Sequence, residues 1–380
     1  MIKRPVMLER SLKLHQGKNY LLLGPRRVGK TTYLRTHFAD CETIDLLKRD
    51  VFFEYRTSPH LLRERYADGE GTIVIDEIQL IPDLLYEIHW MIENTNRTFV
   101  LSGSSARKLR RTGLTNLAGR LASVHMVPLT HAEIPDFDLH RQLQFGSLPP
   151  ILFSDNPTDD LKNYCGEYLK EEIQSEGIVR NLPSFTRFLE SAALANTEMI
   201  SYTSQARDCG VAAKTIKAYY QIIIDTLLGY MLEAFTKTQK RRAITAPKFY
   251  FFDCALPNTI LERTLSPKTP EFGKAFEHFL ILETIAAMHY GSRISKLHYW
   301  RSASGFEVDL IINEHTAVEF KTGSIHIQDT RPLMTLNEEI PLKNKWIVGL
   351  ESKTRSLENG VLVLPWQEFL SRLNQIDCVR

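Results

Sequence analysis

Along the first third of the chain, short apolar runs alternate with stretches whose apolar residues recur at helical spacing. NYLLL at 19–23 reads as a buried strand ending at Gly24, and 29–38 as the helix that follows. Residues 42–46 make a short second strand, and 51–66 form a charge-rich helical stretch. GTIVIDE at 71–77 is another buried strand, 84–93 a helix, 97–102 a further strand, and 121–129 an alternating apolar segment that closes the set. This order predicts an α/β domain, with Pro128 and Pro135 marking its end. From 131 to 183 the pattern turns mostly helical, broken by the turn-rich GSLPP that runs from Gly146 to Pro150, and 184–235 reads as helical throughout. Within it, 203–228 has the cadence of a helix-turn-helix pivoting on Gly210. Its second helix would turn Ile216, Tyr220 and Ile223 inward and Lys214, Thr215, Lys217 and Tyr219 outward; plain helix packing produces the same cadence. Pro247, Pro257, Pro267 and Pro270 punctuate a linker, followed by a long helix at 272–290, several strands and a last helix at 366–373. There is no internal repeat.

Composition narrows the class. At about 150 residues per domain, 380 residues predict two or three domains. Hydrophobic residues at 43% and charged residues at 24% are those of an ordinary globular protein. No apolar run reaches the roughly 18–20 residues of a membrane span, and the N-terminal MIKRPVMLER lacks the apolar core of a secretion signal. Five scattered cysteines without a C-x-x-C pair argue against zinc and disulfides and fit a reducing cytoplasm. Net charge is only +2, but the basic residues cluster. Arg107, Lys108, Arg110, Arg111 and Arg120 form one run without a carboxylate; Lys237, Lys240, Arg241, Arg242 and Lys248 form another. Either run is a solvated face or a surface for phosphate-rich ligands.

The chemistry begins at GPRRVGKT, which fits G-x-x-x-x-G-K-[ST] between a strand and a helix, the context a phosphate-cradling loop requires. Gly24, Pro25, Arg26, Arg27, Val28, Gly29, Lys30, Thr31 and Thr32 are therefore expected to hold ATP. Lys30 would reach the β- and γ-phosphates, and Thr31 would ligate Mg²⁺. At the end of TIVIDEIQ, two carboxylates close a buried strand, an expensive arrangement unless they face a cation or a water. Asp76 fits the magnesium side and Glu77 the base that activates water. Ser102, at the next strand end, is placed to sense the γ-phosphate; Ser104 and Ser105 serve equally well as a helix cap. Arg120 is either an arginine that stabilises transition-state charge on a neighbouring subunit's ATP or an ordinary surface residue.

Gly24–Thr31, D-E-I-Q at 76–79, L-S-G-S-S at 101–105 and L-A-G-R at 117–120 together resemble the AAA+ ATPases. The motif order resembles, more narrowly, a bacterial and archaeal AAA+ family whose C-terminal domain of unknown function is similar to restriction-endonuclease folds. The downstream matches are K-F-Y-F-F-D at 248–253, G-K-A-F-E at 273–277, Y-W-R at 299–301, E-V-D-L at 307–310 and V-E-F-K at 318–321. GSLPP departs from the G-G-x-P-E of relatives.

The C-terminal residues carry a reading of their own. By the period of two, Glu307 and Asp309 share one strand face, Glu319 and Lys321 share another, and Val308, Leu310, Val318 and Phe320 face the core. Adjacent strands would bring Asp309, Glu319 and Lys321 to one point, with Glu277 added from the preceding helix. The spacing resembles a PD-(D/E)xK nuclease site, in which Asp309, Glu319 and Glu277 would bind Mg²⁺ and Lys321 would steady the attacking water. Half-exposed strands show similar alternation of charge, and folds of this shape also bind DNA without cutting it.

The expected architecture is α/β: an AAA+ P-loop core at 1–130, a helical lid at 131–185, a winged-helix region at 186–250 and a nuclease-like α/β domain at 251–380. The expected function is a cytoplasmic ATPase that binds branched or duplex DNA through phosphates and shape, without strong sequence preference. It would remodel that DNA as a homo-oligomeric ring, expected to be hexameric, with no membrane partner. An ATP-gated nuclease and a nucleotide-dependent switch remain as alternatives.

Overall fold

The computed structural model describes residues 8–105, 109, 117, 119–168 and 182–376. Arg107, Lys108, Arg110 and Arg111 of the first basic run lie outside the described residues. The chain divides into two compact units: Met1–Pro135 with Leu148–Pro150 and Ile222–Leu228, and Asp136–Ser147 with Ile151–Gln221 and Gly229–Arg380.

The first unit is a parallel sheet of β1 (Tyr20–Leu23), β2 (Glu42–Asp45), β3 (Gly71–Asp76), β4 (Arg97–Gly103) and β5 (Ala122–His125), in the order β2-β3-β4-β1-β5. The inner strands β1, β3 and β4 are covered on both faces and so read as unbroken apolar runs, whereas the edge strands β2 and β5 are partly exposed. Leu21, Leu23, Ile73, Ile75, Phe99 and Leu101 share a core with Leu84, Leu85, Ile88 and Met91 from the inward stripe of α4 (Leu84–Asn94). Between β1 and β3 lie α1 (Lys30–His37), α2 (Arg49–Thr57) and α3 (Leu61–Tyr66). The helical stretch expected at 51–66 is thus two helices. Ser58 precedes Pro59, which disfavours helical backbone, and its ψ is 73°. Because β4 lies between β1 and β3, the carboxyl ends of all three strands are neighbours: Leu23 pairs with Gly103 and Ile75 with Leu101. Three loops therefore meet at one edge of the sheet, where open α/β sheets place their ligands.

In the second unit, a six-stranded mixed sheet is built from β8 (Leu297–Arg301), β9 (Glu307–Ile312), β10 (Thr316–Lys321), β11 (Asn344–Gly349), β12 (Arg355–Ser356) and β13 (Leu362–Pro365), ordered β12-β13-β11-β10-β9-β8. Two core clusters divide the alternating positions of β10, β11 and β13. Val318, Val348 and Leu364 pack with the long α8 (Pro270–His289) and with α10 (Trp366–Arg372); Ala317, Ile347 and Val363 pack with α9 (Arg331–Asn337). The register between β8 and β9 slips by one residue, since Trp300 pairs with Val308 but His298 with Ile311. Simple alternation fails there. Val308 and Leu310 join different clusters, and Asp309 falls in the bulge between them.

Ahead of this sheet come α5 (Leu182–Leu194), α6 (Tyr202–Cys209), a left-handed turn at Gly210 (φ 68°) and the helix α7 (Ala213–Asp225). Lys214 and Lys217 are exposed as expected, but Tyr219 is buried, its ring 4.9 Å from Phe185 and 5.3 Å from Phe188. An amphipathic tyrosine in a mostly polar turn of helix reads outward in sequence; here the phenylalanines of α5 claim its ring. The stretch expected to be helical to 235 ends in a strand, β6 (Gly229–Leu232), paired antiparallel with β7 (Lys248–Phe251).

Their connection runs along the free edge of β8. Phe235 N donates to Tyr299 O at 2.7 Å and Ile244 N to Arg301 O at 2.8 Å. Much of the second basic run is neutralised there. Lys237 pairs with Glu314 at 2.9 Å, and Arg241 with Glu338 at 2.8 Å and Glu339 at 3.0 Å, while Lys240 and Arg242 are exposed. The carboxylates come from 77 to 98 residues downstream, so inspection of the run alone does not reveal them.

Candidate nucleotide site and carboxylate cluster

Gly24 follows β1 with its N–H donating to Gly103 O at 3.2 Å, and a Cβ there would lie 2.4 Å from Met126 O. Only glycine fits this close passage. Gly29 (φ 101°) and Arg27 (φ 63°) take left-handed backbone, which curls the loop back on itself. The Lys30 ammonium is buried at the start of α1 and donates to the carbonyls of Gly24 and Pro25 at 2.8 and 2.9 Å. Val28 is fully buried, whereas Arg26, Arg27, Thr31 and Thr32 are exposed to differing degrees.

Asp76, at the end of β3, is bracketed. Thr31 donates its hydroxyl to Asp76 Oδ2 at 2.6 Å, and the Ser102 hydroxyl donates to Oδ1. Glu77 follows in left-handed backbone at φ 62°, a conformation that costs a non-glycine residue on the order of 1–3 kcal/mol and recurs at functional sites. Its N–H donates to Ser102 Oγ at 3.2 Å. Sequence reasoning missed Gln79. Its amide Nε2 donates to the Glu77 carboxylate and, at 3.0 Å, to Ser104 Oγ. A carboxylate only accepts, so this fixes which end of the amide faces Glu77. Gln79 Oε1 is left buried with no hydrogen-bond partner among the described residues. Thus Lys30, Thr31, Asp76, Glu77 and Ser102 are gathered at the three strand ends. Thr31 and Asp76 stand side by side as hard oxygen donors, the chemistry Mg²⁺ demands. Arg120 follows on the chain segment before β5. It pairs with Glu93 of α4, both side chains partly exposed.

In the second unit, Lys248 opens β7 and is almost wholly buried. Its Nζ lies 2.7 Å from Glu307, 3.3 Å from Glu277 and 3.9 Å from Asp309, and 5.4 Å from the centroid of the Tyr299 ring. Tyr250 donates its hydroxyl to Glu277 Oε1 at 2.8 Å. Asp309 Oδ2 accepts the Phe320 N–H at 2.9 Å, and Lys321 Nζ meets Glu319 Oε1 at 2.9 Å. Glu319 Oε2 is buried without a hydrogen-bond partner among the described residues.

Burial raises three acids of this group. It lifts Glu277 to about 7 against the pull of Lys248, lifts Asp309 above the usual carboxylate range, and lifts Glu319 well above it with help from the Asp309 charge. For Lys248, burial acts to strip the proton. Glu277, Tyr250, Asp309 and Glu307 outweigh it and hold the ammonium well above its ordinary pKa.

The expected ligand trio of Asp309, Glu319 and Glu277 does not form a single set. Among the described residues, no three carboxylate, histidine or cysteine side chains converge to hold a metal ion. The reason is Lys248, whose ammonium takes up Glu277. Asp309 and Glu319 remain a pair of oxygen donors with one buried oxygen unmatched, and Mg²⁺ is held in many sites by one or two carboxylates. Lys248 was legible as a member of the second basic run and the head of K-F-Y-F-F-D, without its acidic partners; Glu307 was visible as the face-mate of Asp309.

Residues 16–135 match the AAA domain family, residues 136–266 a domain of unknown function (DUF8612), and residues 272–369 a second domain of unknown function (DUF4143). The chain is 26% identical over 307 residues to uncharacterized proteins of Mycobacterium tuberculosis and Mycobacterium bovis, covering 79% of this chain and 68% of each relative. It is 22% identical over 299 residues to an uncharacterized protein of Haemophilus influenzae, covering 70% of this chain and 74% of that one. Among solved structures, it matches that of the Aeropyrum pernix Orc1 protein in complex with DNA at 13% identity, covering 64% of this chain and 86% of that one, with a TM-score of 0.26. That overlap is too loose to bear on either unit. Among the described residues no helix is long and apolar enough to cross a membrane.

Proposed function

We propose that this chain, which carries an AAA domain, hydrolyses ATP and couples turnover to the binding and remodelling of DNA, working in the cytoplasm as a ring of identical subunits. The observation that carries the proposal is the meeting of Lys30, Thr31, Asp76, Glu77 and Ser102 at three adjacent strand ends. The amide groups of the loop and the amino end of α1 suit phosphate oxygens, and Lys30 adds a full positive charge. Mg²⁺ held by Thr31 and Asp76 would supply further charge to the phosphates. Glu77 accepts the proton of a water as its oxygen attacks the γ-phosphorus, and ADP leaves with the electrons of the broken bond. Ser102 ties the Asp76 carboxylate to β4, so a change at the γ-phosphate reaches that strand. Arg120, exposed on this subunit, is suited to act on a neighbouring subunit's ATP.

Support for DNA comes from the helix-turn-helix of α6 and α7 with its exposed Lys214 and Lys217, and from Lys240 and Arg242 on the β6–β7 connection. These contacts are phosphate-type and predict binding that weakens steeply with salt. The deciding experiment uses labelled branched DNA with Mg²⁺, with and without ATP, on native and denaturing gels. Intact strands separated only with ATP, and not by Lys30→Ala, are expected. If neither separation nor shortening occurs, the protein is a nucleotide-dependent switch instead.

A second reading rests on the unmatched Glu319 Oε2. Asp309 and Glu319 would hold a divalent cation that activates a phosphodiester, with the half-exposed Lys321 steadying the attacking water. Shortened strands on the denaturing gel, lost in Lys321→Ala, would establish it.

A further inference from the structure

The motif K-F-Y-F-F-D has no part in nucleotide chemistry, yet its first residue sits among the acids of the second unit. Lys248 Nζ has three carboxylates within 4.0 Å, donated by two separate elements: Glu277 from α8, and Glu307 and Asp309 from β9. Tyr250, two residues on and on the same strand face, bonds the same Glu277 oxygen that Lys248 approaches. One positive centre ringed by oxygen donors from a helix and a strand is the arrangement in which a second divalent ion would sit. Glu307 and Asp309, two positions apart on β9, share a strand face as the period of two expects, and both address the ammonium although the bulge falls at Asp309. On the neighbouring β10, Glu319 keeps one buried oxygen without a partner among the described residues.

We propose that Lys248 is a built-in cation, holding by covalent tether the place of one divalent ion, so that the cluster accepts a single further divalent cation at Asp309 and Glu319. Glu277 is then a ligand of lysine rather than of metal, and Tyr250 is the positioning residue that keeps it so. The tether has a chemical consequence. A lysine contributes positive charge but no open coordination position, so this half of the cluster holds charge without presenting a bound water. The inference rests on the second reading above, and the test separates the two.

Mn²⁺ is titrated into the full-length protein by calorimetry and by electron paramagnetic resonance, without nucleotide. Wild type is compared with Glu319→Gln, Lys248→Met and Lys248→Arg. Glu319→Gln should lose one bound ion, Lys248→Met should gain one, and Lys248→Arg should match wild type. If Glu319→Gln binds as wild type does, the divalent site at Asp309 and Glu319 falls. If Lys248→Met gains no ion, the built-in cation falls even where the divalent site stands.

Should Lys248→Met fold poorly, its thermal midpoint supplies the second readout. Added Mn²⁺ is expected to raise that midpoint by several degrees more than it raises that of wild type. The double variant Lys248→Met/Glu277→Gln removes a carboxylate together with the cation; it should fold without Mn²⁺ and bind no extra ion. A double variant that still needed Mn²⁺ would overturn the proposal.

Discussion

Each unit buries a lysine, and the partners differ. Lys30 is aimed by the carbonyls of Gly24 and Pro25 at the amino end of a helix, whereas Lys248 is enclosed by Glu277, Glu307 and Asp309. Carbonyl dipoles orient an ammonium; carboxylates neutralise it. The first arrangement suits a ligand that arrives with its own negative charge, and the second balances charge already present in the fold. On the function proposed above, the same residue type, similarly buried, would serve recognition in one unit and internal neutrality in the other. A motif search sees only the first, because only there does spacing along the chain encode the geometry.

The comparison breaks if the two lysines respond alike to removal. Lys248→Met leaves buried carboxylates uncompensated and should lower stability by about 3–5 kcal/mol in urea titrations, the range for breaking one side of a buried pair. Lys30→Ala should leave that transition within about 1 kcal/mol of wild type and instead abolish binding of a fluorescent ATP analogue. Equal destabilisation by both would show that Lys30 is structural too.

Next in size is Glu77→Gln. It should retain nucleotide affinity while single-turnover hydrolysis slows by about 10²-fold or more, the usual contribution of a general base. Normal turnover would remove Glu77 from that role.

His278 sharpens the comparison from the acid side. It is buried in the second unit, its Nε2 bonded to Phe251 O at 2.7 Å and its Nδ1 facing the Asn196 amide at 3.1 Å. Burial pushes its pKa from 6.5 down to about 4. The neutral ring therefore adds stability that is fully present above pH 6.5 and is lost as pH falls toward 4, because the unfolded chain takes up the proton first. The loss is on the order of 3 kcal/mol, read as the difference between wild type and His278→Gln across that window. A flat difference would mean the ring protonates in place.

Smaller effects follow. Gln79→Met keeps the side-chain length but removes the amide that holds Glu77, so kcat should fall about tenfold with nucleotide affinity unchanged. A fall in affinity instead would assign Gln79 to shaping the loop. Arg120→Ala breaks a solvent-screened pair with Glu93 and should leave the urea transition essentially unchanged. A turnover defect rescued by mixing with Lys30→Ala subunits would then place Arg120 in trans; no rescue would leave it a residue of its own subunit.

The first unit was almost wholly legible because its information is local. NYLLL, TIVID and FVLSG are unbroken apolar runs since their strands are covered on both faces, and each ends where the polar chemistry begins. What escaped was Gln79, whose meaning lies in a contact with Ser104, 25 residues further on. In the second unit the strands were readable, but the site was only half so. The bulge at Asp309 sends Val308 and Leu310 into different cores, and Lys248 reaches its acids across 29 to 61 positions. Charge runs mislead for a related reason: Lys237 and Arg241 look free until the fold brings Glu314, Glu338 and Glu339 to them.

The connection between β6 and β7 lies along β8, the last strand of its sheet, and occupies main-chain groups at Tyr299 and Arg301 that would otherwise face outward. Exposed strand edges template pairing between chains. A polypeptide beginning at residue 251 would uncover this edge and lose Lys248 with it. Such a fragment is expected to self-associate, its edge open to further strands and its acids without their lysine. The connection between β6 and β7 is thus expected to help keep the second unit from aggregating.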